Sequence, residues 1–321
     1  MKEIGGYLEL ESLISKPYHK DCICLNSGRA ALKYLLINKN IKKIYLPFYL
    51  CESVYNYINI APLEIEFYHI DINFHPILIS PEPEAYIYIV NHYGVLTNSS
   101  LLRFKEKFKN VIIDNTHSFF LEPLKGVNTI YSCRKFFGVP DGAYLYSNIE
   151  NNLELEDNKI TKHLSHIIGR KEYSASAFYE QYVNNDKHFE RSPIKNMSFF
   201  TKTILGAIDY DNVKNKRATN FAHLRKHLDK FNLMHDILLD SISDGPFCYP
   251  FLVEDATLLR NKLINHNIYI PFLWPNVKTT NGANDIESNL SKNILPIPCD
   301  QRYNISDMDI IINIIKDEKL I

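Results

Sequence analysis

The run Tyr86-Ile87-Tyr88-Ile89-Val90 is nearly apolar from end to end, and Val111-Ile112-Ile113 repeats the pattern further along the chain. A strand with one face in water alternates apolar and polar side chains; one that is apolar on both faces must be covered on both. Strands of that kind belong to a mostly parallel sheet with crossover helices above and below it. The flanking sequence agrees. Strands are expected at Ile41–Leu46, Ile65–Ile70, Tyr86–Val90, Asn110–Ile113, Thr129–Ser132 and Ala143–Tyr146, with helical patterns at Ala30–Leu36, Glu52–Ile60 and Ser99–Lys109. The expected class is therefore α/β.

The rhythm changes twice. Asn148–Lys159 is polar and charge-dense and reads as a surface connection. From Lys162 to Leu228 the pattern is mainly helical. Beyond that, Cys248–Val253 is strand-like, Ala256–His266 helical, Ile268–Trp274 strand-like and Asp307–Asp317 helical, which predicts a small α+β unit. The expected division is 1–160 for the larger part of the α/β domain, 161–230 for a helical connecting region and 231–321 for the small C-terminal domain.

Composition narrows the class of partner. The 321 residues carry 36 Lys+Arg against 37 Asp+Glu, so no overall field favours nucleic acid or an anionic membrane. No apolar run approaches the roughly 20 residues needed to cross a bilayer, and the first residues lack the order of a secretory signal. The six cysteines form neither a CxxC pair nor a disulfide-type spacing. The expectation is a cytoplasmic protein with no metal centre. His223 and His227 stand at i,i+4, yet Arg225 and Lys226 between them favour a solvated helix face over a metal site.

Three segments can carry chemistry. In Asn26-Ser27-Gly28-Arg29-Ala30, an apolar run leads into a helix start, where free N–H groups and the helix dipole favour an anion and Gly28 permits close approach. Alone, this is an ordinary cap. In Val111–His117, Asp114 falls at the C-terminal end of a buried strand, where α/β folds place ligands. A carboxylate there can pair with a protonated ring nitrogen, and His117 can reach the same ring from another edge. Equally, Asp114 reads as a helix cap and His117 as a core histidine. In Tyr131–Ala143, Lys135 follows a strand, is flanked by aromatic residues and precedes a Gly/Pro-rich turn. Desolvation beside Arg134 lowers an amine's pKa and makes it a usable nucleophile, with Ser132 or Cys133 near to support a phosphate.

Taken in order, these segments match the fold-type I enzymes that use pyridoxal 5'-phosphate (PLP). More closely, the chain resembles the DegT/DnrJ/StrS family of nucleotide-sugar aminotransferases. The likeness runs through Leu25–Leu32, Ile44–Val54, Phe67–Phe74, Val90–Gly94, Val111–Phe119 and Tyr131–Asn148, then Tyr249–Pro275 and Ile294–Ile315. It implies the fold-type I architecture, a mostly parallel central sheet with flanking helices plus a smaller C-terminal α+β domain. It implies Lys135 as the covalent anchor of PLP, Asp114 as partner of the pyridine nitrogen and His117 beside the phenolic oxygen. Ser27, Gly28, Arg29 and Ser132 then lie at the phosphate, and Tyr49 or Cys51 covers one face of the ring.

The activity so implied moves an amino group from an amino acid, glutamate, through pyridoxamine 5'-phosphate to a keto group of a nucleotide-linked deoxysugar, in a homodimer serving surface-polysaccharide or related synthesis. Alternatives are another PLP reaction on a non-sugar substrate, or a degenerate fold that only binds. Loops at Glu172–Ser192 and Pro275–Asn289 are expected to shape the acceptor pocket. Arg29 and Cys51 depart from the family's usual residues.

Overall fold

A computed structural model describes residues 10–11, 13–77, 80–149, 153–239, 244–278 and 282–316. The first strands and helices alternate: β1 (Ile23–Leu25), α1 (Gly28–Asn38), β2 (Lys43–Pro47), α2 (Glu52–Ile58), β3 (Glu64–Ile70), β4 (Pro76–Ile77), β5 (Tyr86–Val90), α3 (Asn98–Lys107), β6 (Val111–Asp114), β7 (Asn128–Ser132) and β8 (Ala143–Tyr146). They form one eight-stranded sheet in the order β1-β8-β7-β6-β5-β2-β3-β4. β3, β2, β5, β6 and β7 run parallel, while β8 is antiparallel to β7 and β1 antiparallel to β8. The six expected strands are all present within two residues. The sequence pattern missed β1 and β4, whose three and two residues are too short to show a period.

The apolar alternation decides the layers. Tyr88, Val90, Ile112 and Ile130 face α1, with Leu32 and Leu35, while Ile87, Ile89 and Ile113 face the opposite side. Every residue of β6 is buried, as a doubly covered strand requires.

Helices α4 (Ser165–Glu172), α5 (Tyr179–Arg191), α6 (Phe199–Gly206) and α7 (Tyr210–Leu228) follow, then α8 (His235–Leu239), β9 (Tyr249–Leu252), α9 (Thr257–Asn265), α10 (Asp285–Asn293), β10 (Ile294–Ile297) and α11 (Ile305–Lys316). The C-terminal pair β9–β10 is antiparallel. Its apolar residues, among them Phe251 and Leu295, belong to the same continuous core as Ile87, Ile89 and Ile113 of the large sheet.

Two expectations need correction here. Ile268–Trp274 is not a strand; the partner of β9 is Ile294–Ile297. Pro271 removes a ladder donor in the middle of the first segment. In the two-stranded ribbon, by contrast, Pro250 and Pro296 stand opposite each other, and their missing N–H groups can face outward. Nor is Glu172–Ser192 a loop: most of it is α5. The connection expected at Asn148–Lys159 and the loop at Pro275–Asn289 include residues 150–152 and 279–281, which lie outside the described residues, as do 1–9 of the start and Asp317 of the last helix.

Candidate active site

The C-terminal ends of the parallel strands open into a cleft of about 690 Å³, closed on its other side by the C-terminal unit. Ser27, Gly28, Arg29, Cys51, Asp114, His117, Ser132 and Lys135 all line it. Eight of the nine residues anticipated from the sequence are thus brought together. Tyr49 is the exception. It is fully buried, its hydroxyl bonded to that of Tyr93 at 3.0 Å and its ring 4.7 Å from Trp274. Because Tyr49 points into the apolar layer beneath the cleft, it does not cover a ligand's face. Cys51, two residues on, caps α2 at the wall with its Sγ 3.1 Å from Ser53 Oγ.

The start of α1 opens on the cleft. Ser27 caps the helix, its Oγ accepting from Ala30 N–H at 3.1 Å. The helix geometry leaves Gly28 N–H and Arg29 N–H without intrahelical acceptors. A Cβ on Gly28 would stand 3.8 Å from Thr116 Oγ1 and 4.0 Å from Ser132 Cβ, so the glycine keeps open a pocket floored by two hydroxyl-bearing residues. Thr116 was not singled out from the sequence; only its place in Asp-x-Thr-x could have suggested it.

Asp114 ends β6. Its Oδ1 accepts from Thr116 N–H at 2.8 Å and its Oδ2 from the Tyr88 hydroxyl at 2.6 Å. Burial pushes its pKa up; the bonds from Thr116 and Tyr88, and the charge of Lys135, pull part of the way back. His117 lies parallel to the Phe247 ring, centroids 4.0 Å apart. Its Nδ1 accepts from Tyr93 N–H at 3.3 Å, which places the proton of the neutral ring on Nε2. Burial first, then Lys135 and His92, hold His117 well below the ordinary histidine pKa. Gly94, at φ +79°, makes this approach possible: a Cβ there would stand 2.7 Å from His117 O.

Lys135 sits in a short 3-10 turn, Cys133–Lys135, after β7. Its side chain is accessible from the cleft but makes no hydrogen bond or ion pair among the described residues. Burial within the cleft is the main influence lowering its pKa; Arg134 and Arg29 add to the effect, while Asp186 and Cys51 oppose it. Asp186, from α5, pairs with Arg134 at 2.5 Å. Burial would raise its pKa, but Arg134, Lys135 and Arg29 outweigh that and hold it below the usual carboxylate range.

The facing wall was not legible as a site. Arg217 of α7 is 2% exposed and has no carboxylate partner in hydrogen-bonding range among the described residues. It donates to Phe136 O, Pro246 O, Phe247 O and Gln301 Oε1 at 2.8–3.2 Å, and its guanidinium stacks over Phe136 at 4.5 Å. Gln301 Nε2 donates to the same Phe136 O at 2.9 Å. The turn that carries Lys135 is thereby tied to the loop that carries Phe247. His223, read as part of a solvated helix face, bonds Asp309 at 2.6 Å. Among the described residues no cluster of three or more His, Cys, Asp or Glu has metal-holding geometry.

This is an α/β enzyme-like architecture with a polar cleft at the strand ends, where such folds bind ligands. No protein-family model matches the sequence, and no curated protein sequence is significantly similar to it. Solved structures do match. A DegT DnrJ EryC1 StrS aminotransferase from Brucella abortus superposes with a TM-score of 0.62 at 14% identity, over 93% of this chain and 86% of that one. PseC from Helicobacter pylori, an aminotransferase involved in pseudoaminic acid biosynthesis, gives 0.62 at 14%, over 93% and 86%. NtdA from Bacillus subtilis with bound cofactor PMP gives 0.62 at 15%, over 92% and 74%. The chain has the fold of these aminotransferases, the fold-type I architecture anticipated from its motifs.

Proposed function

We propose that the protein is a PLP-dependent aminotransferase that moves an amino group from an amino acid, glutamate, to a keto group of a nucleotide-linked deoxysugar. The observation that carries this reading is the convergence of Asp114, His117, Lys135 and the start of α1 on one cleft of this fold. The residues fit the cofactor: an open pocket over Gly28 for the phosphate, an anionic oxygen at Asp114 for the pyridine nitrogen, and an amine for the aldehyde.

When bound, PLP supplies an electrophilic carbon for an incoming amine and a ring that withdraws electrons from it. Gly28 and Arg29 N–H, with Ser27, Thr116 and Ser132 alongside, hold the phosphate. Asp114 keeps a proton on the ring nitrogen. His117 donates its Nε2–H to an anionic ring oxygen, and Phe247 and Gly94 fix its plane. Lys135 Nζ would anchor the cofactor and, as a free amine, would take the proton from the donor's α-carbon; burial lowers its pKa, which favours the unprotonated form.

In this reading residues 1–160 supply most of the cofactor domain, 161–230 the helical connection with Asp186 and Arg217, and 231–321 the small domain that closes the cleft. The protein is a cytoplasmic homodimer; its six cysteines are all unpaired, in keeping with a reducing compartment. No described helix is long and apolar enough to cross a membrane.

The test is optical. Protein supplied with PLP should show a visible band that glutamate bleaches, and borohydride should fix the cofactor's mass to the peptide bearing Lys135. A protein that takes up no PLP overturns the reading. Bleaching by other amines but not glutamate overturns the choice of donor.

A further inference from the structure

Tyr88 is a phenol in the middle of a doubly covered strand. Around it on the same face of the sheet lie Leu46, Val90, Ile112 and Ile130, an aliphatic layer against α1. Packing that layer requires a ring of this size but not a hydroxyl, and burying an unneeded hydroxyl costs free energy. The hydroxyl has one acceptor, Asp114 Oδ2, at 2.6 Å, and Tyr88 is only 2% exposed. Register explains the contact: Tyr88 pairs with Ile112 and Val90 with Asp114 on the adjacent parallel strand, so the phenol lies one side-chain step below the carboxylate on the same face. Its backbone is pinned from β3, where Tyr68 Oη donates to Tyr88 O at 2.9 Å.

We propose that Tyr88 is a positioning residue for Asp114, holding the carboxylate ionised and in one orientation toward the pyridine nitrogen. This rests on the PLP reading of the cleft. A short O–H···O⁻ bond is charge-assisted and favours the anion. Without it, the buried carboxylate keeps hydrogen bonds from Thr116 alone, backbone N–H and side chain, and its proton affinity rises. Burial beside Asp114 keeps Tyr88 far above the ordinary tyrosine pKa, so the donor stays protonated throughout the working range. The other titratable groups acting on the pair are Lys135 over the cleft and Tyr68 on β3, and neither is altered in a Tyr88 variant.

The test is PLP binding followed by absorbance from pH 5 to 8.5 for the native protein and for Tyr88→Phe, with Asp114→Asn as reference. The variant should bind PLP above pH 8 nearly as the native protein does, but about tenfold more weakly at the acid end. Its acid limb should be displaced to higher pH and should be missing from Asp114→Asn. Superimposable profiles for Tyr88→Phe and native protein overturn the proposal and leave the PLP reading standing. PLP uptake by none of the three proteins overturns both. Should Tyr88→Phe fail to fold, 3,5-difluorotyrosine placed at position 88, a stronger donor of nearly the same shape, must move the acid limb to lower pH; an unmoved limb rejects the proposal.

Discussion

The sheet wall of the cleft takes Gly28, Asp114, His117 and Lys135 from the ends of strands and the turns that follow them, each held within a few residues of a regular element. The facing wall takes Arg217 from a helix, Phe247 from a loop and Trp274 from an irregular segment, and it coheres through one buried cation bonded to neutral carbonyls. Removing a group from the first wall should cost chemistry while sparing the fold. Removing one from the second should loosen the joint between the walls and reach the chemistry only through that.

Four outcomes test this contrast. Lys135→Ala should lower turnover by about 10⁴-fold with unchanged thermal unfolding, since no other lysine among the described residues lines the cleft; assay and calorimetry together check it. Arg217→Met should do the reverse. It takes the guanidinium from the carbonyls of Pro246 and Phe247 and leaves Phe136 O with Gln301 Nε2 alone, and denaturant titration should show a loss of about 3 kcal/mol, with PLP uptake largely retained. If the variant is as stable as the native protein, the joint lies elsewhere.

Acid should weaken both walls alike. Burial holds His19, behind the sheet wall, and His92, between Tyr49 and Trp274, at a pKa of about 4. Unfolded, each titrates near 6.5, so the unfolded chain takes up protons first as pH falls. Their contribution is therefore whole above pH 6.5 and is lost between there and pH 4, about 3 kcal/mol for each histidine by pH 4. Urea midpoints measured across that window check it. The smallest effect belongs to Ser132→Ala, for which equilibrium dialysis should show PLP binding weakened about tenfold with stability unchanged.

The sheet wall was readable because strand ends announce themselves. A buried run stops at Asp114, and a turn with Gly138 and Gly142 follows Lys135. Tyr49 misled because a ring beside a strand-end proline looks the same in sequence whether it points up at a ligand or down into the core; the answer depends on Trp274 and Tyr93, far away in the chain. Arg217 lay hidden in a basic helix. Its neighbours Lys214, Lys216 and Arg225 share its charge, and only the packing of three remote carbonyls distinguishes it. Ile268–Trp274 carried strand-forming residues but no partner, and pairing decides a strand.

The pairing of β1 with β8 has a consequence for how the molecule comes into being. Ile23 meets Leu145, so the edge that fixes the start of α1 cannot form until the chain has been synthesised past the Lys135 turn. Arg217, Phe247 and Gln301 join later still. A nascent chain therefore holds Gly28, Asp114 and Lys135 in covalent order well before it holds them in space. Contacts of such long sequence separation make folding slow, and competence to capture a small molecule arises as one of the last events of synthesis.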